Sequence, residues 1–439
     1  MDNVYLYINM IFLFLAIILY LFFIKRRRAP RLFLFYLFCF IIFNESHIIL
    51  STFSGFEFGN SSWFLLGEFS DYVKHEMVAA LNSYLLGIIF SMCAFSFLYY
   101  RGFEYLKHPG FIKKASLIIY LLTLPFAFFY LSELLSFIKN YGFYAVYEKG
   151  GVNGSIVLEI MFIALYALLV TSDKKIGIAL LIVFSSLIYV LIGLRLEFIF
   201  KVFPVIFYFV CVLYKPQKLI NKKIGWILLG LLSVIYLMQF SVNSRNNEVG
   251  DTEHSFLYDF MSQQGISINV LGMAIKDEQN PLLDSPVILA PVIEPFKVYF
   301  GKLINSGSIQ TGNSYEYAIS SFSLSHKLSY IEDADAYLAG FGVGGAAVAE
   351  LYLFGGYLGC FIGGFLVYIF IVILERIASI NLFFMLFAMN ASSKMIYSPR
   401  GEFLSFLSLD RMTLVLIIVS FLVMILKSLS RTEKITTSR

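Results

Sequence analysis

Apolar runs long enough to cross a bilayer follow one another along most of this 439-residue chain. The chain is 59% hydrophobic and only 14% charged, a composition far from that of a soluble domain. A transmembrane helix needs about 20 mostly apolar residues, and about eleven runs approach or reach that length. The runs are 4–24, 32–53, 77–100, 115–137, 155–171, 176–194, 196–214, 224–241, 351–374, 378–397 and 412–426. The sequence therefore predicts an all-α polytopic membrane protein with about eleven transmembrane helices.

Basic residues gather at alternate ends of these runs. Clusters follow the first run at Lys25–Arg28, the third at Lys113 and Lys114, and the last at Lys427 and Arg431. Because short cytoplasmic loops are rich in Lys and Arg, these ends are expected inside the cell. The pattern places the N-terminus outside and the C-terminus in the cytoplasm.

One long polar interval interrupts the apolar runs. It divides the chain into an N-terminal bundle of about eight helices (1–240), a large outer loop (241–350) and a C-terminal part (351–439) with about three helices and a cytoplasmic tail. A loop this long is usually functional or disordered. Its apolar and aromatic stretches, ILAPVIEPFKVYF among them, favour short helices folded against the membrane domain.

Several classes of function lack their signatures here. GFGVGG is not followed by Lys-Ser/Thr, and neither an HExxH motif nor paired cysteines occur, so no nucleotide, metal or other cofactor is expected. The net charge of +4 reflects basic inner loops rather than a nucleic-acid partner. Four cysteines lie inside apolar runs and are expected to pack there: Cys39, Cys93, Cys211 and Cys360.

Arginines at the outer ends of helices run against the usual charge pattern. They are Arg195, Arg245, Arg400 and Arg411. Taken singly, each arginine fits an anchor to lipid headgroups. Taken together, converging guanidinium groups suit a phosphate or diphosphate, which they bind through paired hydrogen bonds.

Carboxylates accompany these arginines. Glu402 and Asp410 have the neighbouring arginines Arg400 and Arg411 as structural ion-pair partners, and Glu197 is spaced to pair with Lys201. Glu350 has no such partner nearby in sequence, so it is the stronger candidate for a catalytic or substrate-orienting group. Two residues of the second run form a weaker candidate, Glu45 and His47.

Glycines cluster around the run that follows the long loop. The spacing of Gly355, Gly359 and Gly363 predicts close packing against a neighbouring helix. The earlier glycines at 340–345 favour a bent backbone at the membrane surface.

The topology and these motifs together resemble the Wzy-type polymerases of O-antigen oligosaccharide repeat units. The resemblance rests on GLRLE at Arg195, NSR at Arg245, AELYLFGGYLG at Glu350 and SPRGEF at Arg400. It implies a GT-C-like glycosyltransferase of the inner membrane that works on the outer face without metal or nucleotide sugar. Donor and acceptor would be undecaprenyl-diphosphate-linked oligosaccharides, with membrane lipid and a chain-length regulator protein as further partners.

The resemblance also suggests roles for individual residues. Glu350 is the first candidate for the catalytic base, with His326 and Asp335 behind it. Four arginines and one tyrosine are candidates for binding the diphosphate: Arg195, Arg245, Arg400, Arg411 and Tyr352.

Two other functions remain open at this point. An O-antigen ligase shares the arginines and relies on an outer-loop histidine, for which His254 and His326 are available. A flippase or transporter of the same lipid-linked sugars would carry charges at mid-membrane, often within internal repeats. Charges gathered at outer helix ends favour the polymerase.

Overall fold

A computed structural model of the chain describes residues 3–26, 28–61, 67–96, 110–141, 155–191, 194–213, 256–304, 312–408, 413 and 415–417. The described part is almost entirely helical, with a two-stranded antiparallel pair at Asn60–Ser61 and Gly67–Glu68. Among the described residues, six helices are long and apolar enough to cross a membrane. The expected polytopic helical architecture is therefore confirmed, while the count of about eleven spans stays a prediction.

The N-terminal helices follow the predicted apolar runs closely. They are α1 (Asn3–Lys25), α2 (Leu32–Phe40), a π-helical turn (Ile41–Glu45), α3 (Ser46–Ser54), α4 (Asp71–Phe95), α5 (Gly110–Tyr141), α6 (Ser155–Thr171), α7 (Lys175–Leu191) and α8 (Arg195–Phe207), which continues into a second π-helical turn (Tyr208–Leu213). The helix α4 begins before its predicted run because the Ser70 hydroxyl accepts a hydrogen bond from the Val73 amide and caps the first turn.

The long interval forms short helices. They are α9 (Phe256–Gly265), α10 (Ser267–Lys276), 3-10 turns at Pro281–Leu283 and Val287–Leu289, α11 (Ala290–Ile304), α12 (Tyr315–Ser320), α13 (Leu324–Glu332) and α14 (Ala334–Leu338). The chain then enters α15 (Ala347–Ile377) and α16 (Leu382–Tyr397), followed by 3-10 turns at Ser398–Arg400 and Ser405–Leu407.

The element α15 is bent back on itself rather than straight. Gly356 has φ 57° and ψ −140°, a conformation open to glycine and strained for other residues. Segment 347–354 therefore folds against segment 357–377, and the Cys360 Sγ lies 3.8 Å from the Val348 carbonyl oxygen. We call this element the α15 hairpin. The expectation of one continuous span over 351–374 is wrong, because the chain turns at Gly355 and Gly356.

The glycines of this stretch act mostly within the hairpin. A Cβ on Gly359 would lie 2.2 Å from the Leu351 carbonyl oxygen, and one on Gly363 would collide with the Leu351 side chain. A Cβ on Gly355 would meet no atom of another described residue within 4 Å, so its predicted packing role is wrong. Small residues do permit the close approach that the spacing predicted, but it joins the two arms of one hairpin.

A second glycine contact joins the hairpin to α4. A Cβ on Gly364 would lie 2.1 Å from the Tyr84 carbonyl oxygen, and one on Gly87 would lie 2.0 Å from the Phe361 carbonyl oxygen. Missing side chains therefore let the two helices touch backbone to backbone. This packing fixes segment 357–377 beside α4.

The helices have two distinct ends. At the Arg31 end, the Arg31 Nη1 donates to the Val210 carbonyl oxygen at 2.5 Å, and the Lys175 Nζ donates to the Tyr208 hydroxyl at 2.7 Å. At the Arg400 end, the Asn44 Nδ2 donates to the Pro399 carbonyl oxygen at 3.2 Å. Which end faces the cytoplasm stays a prediction.

Candidate functional site

Glu350 lies in the hairpin's short arm and is completely buried. Its Oε2 accepts a hydrogen bond of 2.8 Å from the Phe403 backbone amide. Its Oε1 is buried without a hydrogen-bond partner among the residues that the structure describes. Buried polar atoms are almost always paired, so an unpaired carboxyl oxygen here marks a position where a further group can bind.

Two motifs that are distant in sequence meet beside Glu350. A Cβ on Gly345 would lie 3.3 Å from the Gly401 carbonyl carbon, so the glycine-rich entry to the hairpin touches the SPRGEF segment. The Phe403 contact comes from the same segment. The structure therefore brings together the Glu350 and Arg400 regions that the sequence singled out.

Arg400 points toward the long loop. Its Nη1 donates to the Gln264 Oε1 at 2.5 Å, and its guanidinium carbon lies 5.4 Å from the centre of the Phe43 ring. The alternative ion pair between Arg400 and Glu402 does not form, since Glu402 instead accepts a hydrogen bond from the Ser323 hydroxyl at 3.2 Å. The described hydrogen-bond partner of Arg400 is thus a neutral amide.

The structure describes the positions of the other arginines less completely. Arg195 begins α8, and Phe200 in that helix meets the Tyr397 ring edge-on at 5.6 Å, close in sequence to Arg400. The backbone of Arg195 therefore lies at the Arg400 end of the bundle. Arg245 and Arg411 lie outside the described residues. The predicted pair of Glu197 and Lys201 is confirmed at 3.9 Å.

The same Lys201 has a closer partner that sequence spacing did not indicate. Its Nζ lies 2.8 Å from a Glu159 carboxylate oxygen contributed by α6. Both side chains are largely buried. This ion pair holds α6 to α8.

Glu402 and Glu294 add two further carboxyls to the Glu350 region. Burial raises the pKa of Glu402 to about 7, the Ser323 hydrogen bond opposes that rise, and the negative charge of Glu294 adds to it. Glu294 comes from α11, and its Oε1 accepts from the Phe322 amide at 2.6 Å. No local pattern in the sequence pointed to Glu294, because its neighbours at the site come from distant segments.

His326 and Asp335 lie in the long loop, on α13 and α14. The His326 Nδ1 and the Tyr337 hydroxyl are 2.9 Å apart, and the imidazole packs edge-on against Tyr317 at 4.7 Å. Burial lowers the pKa of His326 to about 4, so the ring is neutral near pH 7. Asp335 is exposed in the first turn of α14. Neither has a described contact with Glu350.

Tyr352 faces away from this cluster. Its hydroxyl donates to the Glu76 Oε2 at 2.9 Å, and the Tyr357 hydroxyl shares the same oxygen at 2.5 Å. Residues two apart on a helix point in nearly opposite directions, which explains why Tyr352 and Glu350 diverge. The structure does not bring Tyr352 to the candidate diphosphate site.

The weaker candidates Glu45 and His47 lie where the π-helical turn meets α3. Glu45 is fully buried, and neither of its oxygens has a hydrogen-bond partner in the described residues. The His47 Nε2 is 2.7 Å from the Ser262 carbonyl oxygen, and a Cβ on Gly265 would collide with the His47 ring. These contacts hold α9, which carries Gln264, against the second membrane helix.

Within the described residues, no group of three or more His, Cys, Asp or Glu side chains is arranged to hold a metal ion. The expectation of a metal-free mechanism stays a prediction.

Comparison with known proteins gives a match over nearly the whole chain. Residues 1–433 match the family model described as O-antigen polysaccharide polymerase Wzy. Neither the curated proteins nor the solved structures gave a match. The matched range includes every segment that builds the Glu350 and Arg400 region, and the chain therefore belongs to the Wzy family of O-antigen polysaccharide polymerases.

Proposed function

We propose that this protein joins undecaprenyl-diphosphate-linked oligosaccharide repeat units into O-antigen or a related surface polysaccharide on the outer face of the inner membrane. The growing chain on its lipid carrier is the donor, and a new lipid-linked repeat unit is the acceptor. The acceptor hydroxyl forms a bond to the anomeric carbon of the donor's first sugar. The bond from that carbon to the diphosphate breaks, and undecaprenyl diphosphate leaves with the electron pair.

The observation that carries this proposal is the buried, unpaired oxygen of Glu350 beside the SPRGEF segment. The acceptor hydroxyl loses a proton during the reaction, and a carboxylate within hydrogen-bond reach can take it. The Phe403 amide holds one oxygen of Glu350 in place, which leaves the other for the substrate. Glu350 is therefore our first choice for the base.

Arg400 supplies the positive charge that the leaving group needs. A preorganised guanidinium stabilises the negative charge that develops on the diphosphate as the glycosidic bond breaks. The Gln264 amide orients Arg400 without neutralising it, so its charge stays available for an anion. Arg195 begins a helix at the same end, and Arg245 and Arg411 complete the proposed set.

The two rival functions predict different products. A ligase would attach finished polymer to a lipid core. Among the described residues, the histidine that could serve such an enzyme is His326. Its imidazole is hydrogen-bonded within an aromatic cluster. A flippase would carry out no bond chemistry. The family match favours polymerisation over both.

The test compares lipid-linked and surface glycans in a deletion strain that carries wild-type protein or Glu350→Gln. Gln keeps the size and hydrogen-bonding ability of Glu but does not accept a proton as a base. The variant should be made in normal amount, yield caps of one repeat, and lose long polymer by roughly 10²–10⁴-fold in rate. Glu316→Gln, which changes an exposed carboxyl of α12, serves as the control and should make normal polymer.

Other outcomes would overturn parts of the proposal. Long polymer at wild-type level in Glu350→Gln would remove Glu350 as the base and move the search to His326 and Asp335. Unattached long polymer in the deletion strain would identify a ligase. Repeat units confined to the cytoplasmic face of the inner membrane in that strain would identify a flippase.

A further inference from the structure

A buried base must lose its proton before it can act again. Glu350 is fully buried in the short arm of the hairpin, so it has no direct path to bulk water in this structure. Polymerisation repeats the same step for every unit added. The neighbours of Glu350 therefore decide how the proton leaves.

Among the described residues, Glu402 is a titratable neighbour whose charge acts on Glu350. Its carbonyl carbon is bonded to the Phe403 nitrogen that donates to Glu350, so the Glu402 Cα lies within about 6 Å of the Glu350 Oε2. The negative charge of Glu402 also acts on Glu350 directly. The two carboxyls thus form one electrostatic unit.

Glu402 in turn leads toward the surface. Its charge interacts with that of Glu294, whose side chain is 13% exposed. The Lys297 Nζ lies 3.6 Å from the Glu294 Oε1, and its side chain is 37% exposed. Glu350 is therefore fully buried, whereas Glu402, Glu294 and Lys297 are each partly exposed.

Other polar and charged groups surround Glu402 from the elements packed against it. They are Ser323 and Tyr317 from the outer loop, Glu294 and Lys297 from α11, Glu350 from the hairpin and Arg400 from its own segment. The unpaired Oε1 of Glu350 is an independent sign that this cluster serves a ligand or a proton rather than only the fold.

We propose that Glu402 receives the proton that Glu350 takes from the acceptor hydroxyl, and that Glu294 releases it to water. This inference rests on the function proposed above. The acceptor O–H bond breaks, its proton joins the Glu350 carboxylate, and its oxygen bonds to the anomeric carbon. The proton then passes to the Glu402 carboxylate and on to Glu294, which restores Glu350 as a carboxylate. Glu402 acts through Glu350 and does not contact substrate.

The experiment measures polymer formation by purified full-length protein in detergent, with isolated lipid-linked repeat units as substrate, across pH 5.5–8.5. Burial and neighbouring charge raise the pKa of Glu402 to about 7, and only its ionised form accepts a proton, so the wild-type rate should rise with pH through about 7. Glu402→Gln should be at least about tenfold slower, and any rise with pH that remains should reflect ionisation of Glu350 rather than of Glu402. Glu402→Asp keeps a proton acceptor and should keep a rise with pH.

Glu332→Gln is the matched control, because Glu332 is a buried outer-loop carboxyl that bonds to Lys276 instead of the cluster. It should keep both the wild-type rate and its pH dependence. Glu294→Gln should slow the reaction less than Glu402→Gln does, since water can replace a partly exposed group.

A wild-type rate and pH profile in Glu402→Gln would overturn the proposal. So would an equal loss in Glu402→Gln and Glu402→Asp with an unchanged pH profile, because that result shows a structural role. The variant Glu350→Gln distinguishes failure of the proposed base from failure of the proposed proton route. If it makes normal polymer, the base assignment itself fails, and if only Glu402→Gln behaves as wild type, the base stands and the proton route falls.

Discussion

Glu375 and Glu350 lie at opposite ends of the α15 hairpin and are both fully buried, yet they have different surroundings. The Glu375 Oε1 accepts a hydrogen bond of 2.7 Å from the Leu32 amide in the first turn of α2. The first amides of a helix have no partner within it, so this carboxylate completes the helix end. Glu350 also binds a backbone amide but keeps one buried oxygen unpaired. The difference teaches that depth of burial alone does not separate a structural acid from a functional one.

The largest expected contrast is between one arginine at each end. Arg400→Ala should lower the polymerisation rate about a hundredfold or more with little change in melting temperature, because it removes one stabiliser of the leaving charge. Arg31→Ala should lower the melting temperature and change the polymerisation rate little, because Arg31 binds the Val210 carbonyl oxygen and holds two helices together. Polymer length on gels and thermal unfolding in detergent measure the two effects.

Two further arginine variants sharpen that contrast. Arg400→Lys should restore little activity if the contact to the diphosphate is bidentate, and Arg195→Ala should resemble Arg400→Ala. Full polymer in both Arg195→Ala and Arg400→Ala would assign these side chains to lipid headgroups and remove the functional difference between the two ends.

A smaller effect is expected at the bend that separates the two acids. Gly356→Ala places a side chain at φ 57° and ψ −140°, a strained conformation that should destabilise the protein by about 1–3 kcal/mol. Because the bend positions Glu350, both melting temperature and activity should fall. Gly177→Ala, in α7 with open space around it, is the control and should leave both unchanged. Unaltered melting and activity in Gly356→Ala would show that the bend is not needed.

The smallest effect should come from His326. Burial lowers its pKa from the ordinary value of 6.5 to about 4, so the unfolded chain binds more protons than the folded one between these pH values. Stability should therefore be complete above pH 6.5 and fall as the pH drops toward 4. His326→Gln should show a smaller loss of melting temperature between pH 7 and pH 5 than the wild type does. The same loss in both proteins would exclude His326 as its source.

Sequence reasoning identified features that depend on local spacing. The bounds of α6 at Ser155–Thr171 match the predicted run, and the spacing of Glu197 and Lys201 predicted their ion pair. Glu350 was singled out because no opposite charge lies near it in sequence. Each of these inferences needs only the periodicity of a helix and the cost of burying a charge.

Features that depend on a backbone bend or on contacts between distant segments could not be predicted in this way. Apolar composition continues through Gly355 and Gly356, so hydropathy indicated a straight helix where backbone conformation imposes a bend. The sequence predicts an ion pair between Glu402 and its neighbour Arg400. In the structure, Glu402 instead accepts a hydrogen bond from Ser323 of the long loop. Gln264 and Glu294 reach the site from separate helices, and only the tertiary structure shows that they meet there.

The tight contacts of the hairpin glycines have a consequence for genetics. A side chain at Gly359 would meet backbone atoms of Leu351, and one at Gly364 would meet backbone atoms of Tyr84. Backbone atoms cannot move aside as the end of a flexible side chain can. A random mutant library screened for loss of surface polymer will therefore return these glycines together with Glu350 and Arg400. Scoring each allele also for the amount of protein in the membrane will divide the hits, because the glycine alleles lose the protein and the Glu350 and Arg400 alleles keep it.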